Sequence, residues 1–158
     1  METAQTFITK PANHQIISSR IFNHTPELIF EAWTNPERLK NWWGPNGFTN
    51  TFNEFDLREG GYWRFIMHGP DGTDFPNESR FVKITAPELI VFDHICPPIF
   101  RIVATFEELE EKKTLLTFRM IFDNVETCNQ VKLYAVDKNE ENFDRLEAEL
   151  QRDDFLYT

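Results

Sequence analysis

From Asn124 to Arg152 the chain reads NVETCNQVKLYAVDKNEENFDRLEAELQR, with neither glycine nor proline. Within it Val131, Ala135, Phe143, Leu146 and Leu150 recur at spacings of three and four, which places them on one face of a long helix. Lys132, Glu140, Glu141, Asp144, Arg145, Glu147 and Glu149 fall on the opposite face, which should meet water. A helix wet on one side only must lie over something apolar. Its stripe has one break: Asn139 stands where the apolar face should continue, with Asn142 close by.

The stretch upstream supplies what the helix must cover. Gln15 to Phe22 reads as a first strand. Thr25-Pro26-Glu27 and Asn35-Pro36-Glu37 then repeat one helix-start signal, a capping side chain followed by proline in the first turn. Two short helices follow, anchored by Leu28, Ile29, Ala32 and Trp33, then by Leu39, Trp42 and Trp43. Gly44-Pro45-Asn46-Gly47 closes the second in a turn. From Phe48 to Phe122 the period changes to two, with turns at Gly60-Gly61, at Gly69-Pro70-Asp71-Gly72 (extending to Pro76) and at Ala86-Pro87-Glu88. Trp63, Phe65 and Met67 share one strand face, as do Ile90, Phe92 and His94. Consecutive strands on short turns imply an α+β domain with a curved antiparallel sheet of six to seven strands. Such a sheet is apolar on one side and wet on the other, and the terminal helix would close it into a cup.

A chain of 158 residues is long enough for one domain with its own core. We assign it to residues 15–152, preceded by a loose arm or short edge strand at 1–14 and followed by a tail at 153–158. Its 16 phenylalanines and four tryptophans suggest a large ring-lined interior. A formal net charge of -10 argues against nucleic acid or an anionic membrane as partner. The two cysteines, Cys96 and Cys128, form neither a disulfide framework nor a zinc site. The opening METAQTFITKPANH lacks the basic start and apolar run of a signal peptide, and no segment has the length of a membrane span. A cytoplasmic monomer or homodimer is the expectation.

Several stretches resemble the family named for activators of the heat-shock protein 90 ATPase. They are Trp33-Thr34-Asn35-Pro36-Glu37, Leu39-Lys40-Asn41-Trp42-Trp43-Gly44-Pro45, His68-Gly69-Pro70-Asp71-Gly72, Pro76-Asn77-Glu78-Ser79, Val91-Phe92-Asp93-His94 and Asn142-Phe143-Asp144-Arg145-Leu146. That family is part of the SRPBCC (START-like, birch-pollen-allergen-like) superfamily, and the resemblance implies its helix-grip fold. It also implies two roles: a vessel for small hydrophobic molecules, or a partner of a chaperone. Many relatives carry Gly-Trp where this chain has Lys138-Asn139, which exchanges an apolar plug for an amide at the expected cavity.

The chemistry-bearing residues are few. His94 lies on an inward face and could bond a ligand or act as a base, which leaves a cyclase- or hydrolase-like enzyme as a further alternative. Asp93 points to the other face of its strand and cannot easily pair with it. No HExxH, GxSxG, Walker loop or dinucleotide fingerprint occurs, and neither metal nor cofactor is expected. The residues nominate no catalytic machine. The leading expectation is a binding site for a small hydrophobic or amphipathic molecule between sheet and helix. Its walls would be Trp63, Phe65, Met67, Phe92, Phe106, Phe118, Met120, Ala135 and Phe143, with His94, Asn139 and Asn142 as polar contacts. Trp33, Trp42 and Trp43 would fasten the short helices to the sheet or gate the mouth.

Overall fold

The computed structural model describes residues 3–156. After helix α1 (Ala4–Phe7) come strand β1 (Gln15–Phe22), helices α2 (Pro26–Thr34) and α3 (Pro36–Trp42), and strands β2 (Thr49–Phe55), β3 (Tyr62–His68), β4 (Asp74–Thr85), β5 (Leu89–His94), β6 (Phe100–Leu109) and β7 (Lys113–Ile121). Helix α4 (Val125–Leu156) closes the order. The seven strands form one antiparallel sheet in the order β1-β7-β6-β5-β4-β3-β2, with α4 laid across it. This is the helix-grip fold.

The two short helices begin where the sequence places them. The Thr25 hydroxyl accepts from the Leu28 amide at 3.4 Å and Asn35 Oδ1 from the Glu37 amide at 3.0 Å, each with proline next in the chain. Trp33 and Trp42 are buried with ring centroids 5.1 Å apart, and the Trp42 indole donates to the Ala32 carbonyl at 3.0 Å. These two fasten α2 and α3 to each other and to the sheet.

Five expectations change in the structure. Residues 3–14 are neither a loose arm nor an edge strand: Phe7 is buried on the outer sheet face among Leu89, Val91, Val103 and Ile121. On that outer face β5 and β6 present Leu89, Val91 and Val103, so the outer side is not wholly wet and needs that cover. At the end of the segment, the Phe122 amide donates to the His14 carbonyl at 2.9 Å.

Strict alternation also fails in two strands. A register shift between Phe52 and Glu54 brings Phe52 and Phe55 to the same side, 5.8 Å apart and stacked. A second shift, between Phe81 and Lys83, occurs in β4. That strand begins at Asp74, inside the stretch read as a loop. Helix α4 runs four residues past its expected end, through Leu156, because nothing between Arg152 and that point breaks a helix; residues 157–158 of the expected tail lie outside those described.

Finally, the wet face of α4 is partly covered. Glu149 is only 6% exposed and accepts from Arg38 Nε at 3.1 Å and Asn41 Nδ2 at 3.2 Å, both on α3. Arg145 is drawn down onto the turn after α3. Glu140, Asp144 and Glu147 remain near solvent and reach Arg20 on β1 at 3.2, 2.8 and 3.6 Å.

Candidate functional site

The helix stripe explains why one half of the interior is solid and the other hollow. Towards the C-terminus of α4, Phe143, Leu146 and Leu150 are fully buried and fill the space against Phe22, Leu116 and the tryptophans of α2 and α3. Phe143 meets Phe22 edge-on with centroids 6.0 Å apart. Earlier in the helix the inward positions are Val131 and Ala135, whose side chains are too short to reach the sheet, and Asn139, which reaches only Ser18 and Met120 on its β1 side. What remains beneath them is a cavity of about 680 Å³. Its floor is apolar, built from Phe65, Phe92, Ile102, Phe118 and Met120, with Trp43 at the α3 end.

Of the residues expected at a ligand site, Phe65, Met67, Phe92, His94, Phe118, Met120, Ala135, Asn139 and Asn142 all line this hollow. Trp63, Phe106 and Phe143 do not. Trp63 lies behind Phe65, stacked on it at 4.4 Å and enclosed by Trp43, Phe52 and Phe55. Phe106 packs against Phe30 and Trp33 at 5.5 and 5.7 Å. Sharing a strand face with cavity residues is not enough, because the same face continues into the filled half.

One corner of the cavity is polar. His94 is 9% exposed, and the Phe100 ring stacks on it at 4.6 Å. Its Nδ1 lies 2.8 Å from the Pro98 carbonyl, and its Nε2 lies 2.8 Å from Asn77 Oδ1 and 3.4 Å from Cys96 Sγ. A carbonyl only accepts, so Nδ1 carries the hydrogen. The Asn77 amide is oriented by its Nδ2, which donates to the Phe75 carbonyl at 2.8 Å. Burial lowers the pKa of His94, opposed in part by the Pro98 carbonyl. The ring is therefore neutral at neutral pH, with the Nε2 lone pair directed at Cys96 and Asn77. Asp93, on the opposite face, pairs with Arg101 at 2.7 Å. Beside His94 in the sheet register stands Ser79, 1% exposed, whose hydroxyl makes no hydrogen bond among the described residues.

The rim is fixed by α4. Arg145 Nη1 donates to the carbonyls of Trp43, Gly44 and Pro45 at 3.2, 2.8 and 2.9 Å, and Nη2 to those of Asn41 and Phe48 at 2.9 and 2.8 Å. Five carbonyls gathered by one guanidinium hold the turn after α3 in a single shape. Asn142 shares that task, since its Oδ1 accepts from the Gly44 amide at 2.9 Å. Gly44 is required there, because its φ is +102° and a Cβ would stand 2.7 Å from the Met67 methyl. Asn139 is bound more loosely: its Nδ2 donates to Ser18 Oγ at 3.3 Å and approaches Met120 Sδ at 3.6 Å. Its Oδ1 takes no hydrogen bond among the described residues.

Sequence reasoning passed over Ser79, Asn77, Cys96, Tyr134 and Lys138 as lining residues. Asn77 was readable in principle: it sits opposite Phe65 in the register, so the two share a face once β4 is extended. Among the described residues no group of three or more His, Cys, Asp or Glu could hold a metal, and no helix is long and apolar enough to cross a membrane.

Known proteins place this architecture. The family model described as activator of Hsp90 ATPase homolog 1-like protein matches residues 23–151. The chain belongs to this family. Solved structures similar to this AHSA1-like chain include a protein from Nitrosomonas europaea, at 20% identity and TM-score 0.83, covering 91% of this chain and 98% of that one. A Rhodobacter sphaeroides protein aligns at 22% identity and TM-score 0.81, covering 92% and 97%. The AHSA1 protein of Silicibacter pomeroyi aligns at 18% identity and TM-score 0.69, covering 88% and 99%. At these identities the likeness is one of fold. No curated protein matches the AHSA1-like chain significantly.

Proposed function

We propose that this protein binds a small, largely apolar molecule carrying a single polar group in the hollow between the sheet and α4. The observation that carries the reading is the combination of an apolar cavity of about 680 Å³ with two polar side chains on its wall, Ser79 and Asn139, whose Oγ and Oδ1 make no hydrogen bond among the described residues. Convergent polar atoms in an otherwise apolar hollow orient a ligand and select for its polar end. The aromatic floor supplies affinity by removing apolar surface from water. Asn142 and His94 act through structure in this reading, since Asn142 Oδ1 and both ring nitrogens already face protein partners.

Native mass spectrometry of the protein purified from its own cells tests this directly. A co-purifying small molecule that is lost on organic extraction supports it. A mass equal to the bare chain, together with no binding of 1-nonanol up to its solubility limit, would count against it.

Family membership supports a binding or chaperone-associated role at the level of the family, and the family's name points to an Hsp90 ATPase activator. That second reading predicts stimulation of the cognate chaperone's ATPase by the purified chain, and it is refuted by an unchanged rate at saturating concentration.

A further inference from the structure

The polar corner contains a group that ligand binding alone does not use. Cys96 Sγ lies 3.4 Å from His94 Nε2 on the cavity wall, and Ser79, buried and unpartnered, faces the same hollow. A thiol, a neutral imidazole and a third group orienting that imidazole are the parts of an activated nucleophile. Here the orienting group is the Pro98 carbonyl, which holds the hydrogen on Nδ1 and leaves the Nε2 lone pair facing the thiol.

We infer that Cys96, with His94 as its base, is an addition site for α,β-unsaturated carbonyl compounds whose apolar tail lies in the hollow. The inference rests on the proposed binding of small apolar molecules, and adds a covalent step to it.

The hydrogen bonds favour that step. Asn77 Oδ1, 2.8 Å from His94 Nε2, is an acceptor facing a lone pair while the ring is neutral. Asn77 cannot turn over without losing its bond to the Phe75 carbonyl. When the ring gains a proton the mismatch ends, because both N–H groups then point at carbonyl oxygens. The site thus resists the imidazolium by burial and supports it by hydrogen bonding once a proton arrives from the neighbouring thiol.

The reaction closes without any other reagent. The thiol proton passes to His94 Nε2 as Cys96 Sγ bonds to the β-carbon of the electrophile. The π pair of the C=C bond moves onto the carbonyl as an enolate, whose oxygen takes a hydrogen bond from the Ser79 hydroxyl. His94 then returns the proton to the α-carbon, leaving a saturated carbonyl compound joined to Cys96 as a thioether. The second cysteine, Cys128, is a natural control, since it is buried in the core at 1% exposure and burial pushes its thiol up.

The experiment treats the full chain with trans-2-nonenal or acrylamide near neutral pH, followed by intact mass and peptide mapping. The proposal predicts one nonenal adduct, on Cys96 and not Cys128, forming at least tenfold faster than on free glutathione. The preference for nonenal over acrylamide should exceed that of glutathione tenfold, because only nonenal carries a tail. His94→Gln should slow the reaction at least tenfold while leaving the thermal transition in place. A wild-type rate no greater than that of glutathione overturns the proposal whether or not the variant folds, as does a folded His94→Gln protein that reacts at the wild-type rate. Saturable binding of 1-nonanol without a Cys96 adduct sinks the addition site and spares the binding reading. A fast, His94-dependent adduct without 1-nonanol binding does the reverse.

Discussion

Asn139→Trp separates a hollow interior from a filled one by the sign of its effect. Asn139 is half-buried, so an indole in its place would bury about half of the 150–250 Å² that a tryptophan can remove from water. At about 25 cal/mol per Å² that contributes roughly 2–3 kcal/mol. Fixing the new side chain costs about 1 kcal/mol, and losing the long contact to Ser18 costs about 1 kcal/mol more. Helix propensity is nearly neutral in the exchange. The net expectation is a gain of about 0–1 kcal/mol, or a melting midpoint raised by up to about 4 °C for a chain of this size. Had the space been filled, the same substitution would overpack it and cost about 1–3 kcal/mol. Urea unfolding at constant m-value gives the stability, and titration with 1-nonanol gives the affinity. Higher stability with at least tenfold weaker binding is the predicted pair of results. Lower stability, or unchanged binding, would refute the reasoning.

Three further outcomes follow from particular contacts. Phe143→Ala should cost about 3–5 kcal/mol in chemical unfolding, because it empties part of the filled half; a loss below about 1 kcal/mol would show that this half also tolerates space. Arg145→Leu should cost about 3 kcal/mol or more by leaving five carbonyls without their donor, with Arg145→Lys recovering only part, since an ammonium cannot reach all five. The lowered pKa of buried His94 makes the unfolded chain bind its proton first as the pH falls below about 6.5. Stability is therefore full above that pH and declines below it, by at most about 1.4 kcal/mol per pH unit, until the folded-state pKa is reached; subtracting the His94→Gln profile should remove this slope, and identical profiles would contradict it.

How much of this was legible beforehand depends on whether the signal was local. The start of α4, the capped starts of α2 and α3, and the inward face holding Phe65, Phe92 and His94 are written in short spacings, and the structure places them as read. The bulges near Asn53 and Val82 are not, because a register shift depends on the partner strand. The cover over the outer sheet face was half visible: Leu89-Ile90-Val91-Phe92 is apolar without alternation, the mark of a strand buried on both sides. Arg145 and Glu149 belong to the polar side of α4 by periodicity, and only the arrival of α3 and its following turn covers them. For the same reason Trp63 and Phe65, two residues apart on one face, end in different surroundings. Helical spacing tells which face a residue occupies; the neighbouring element decides whether that face is solid, hollow or wet.

The claim that the space beneath α4 receives a ligand is tested most directly by the methionine methyl groups. The chain has three methionines. Met67 and Met120 line the hollow, and Met1 lies outside the described residues. In protein labelled with ¹³C at the methionine methyls, titration with 1-nonanol should move the Met67 and Met120 signals together along one saturating curve. If neither moves up to the solubility limit of the alcohol, the hollow is not a binding site and the account fails at its centre.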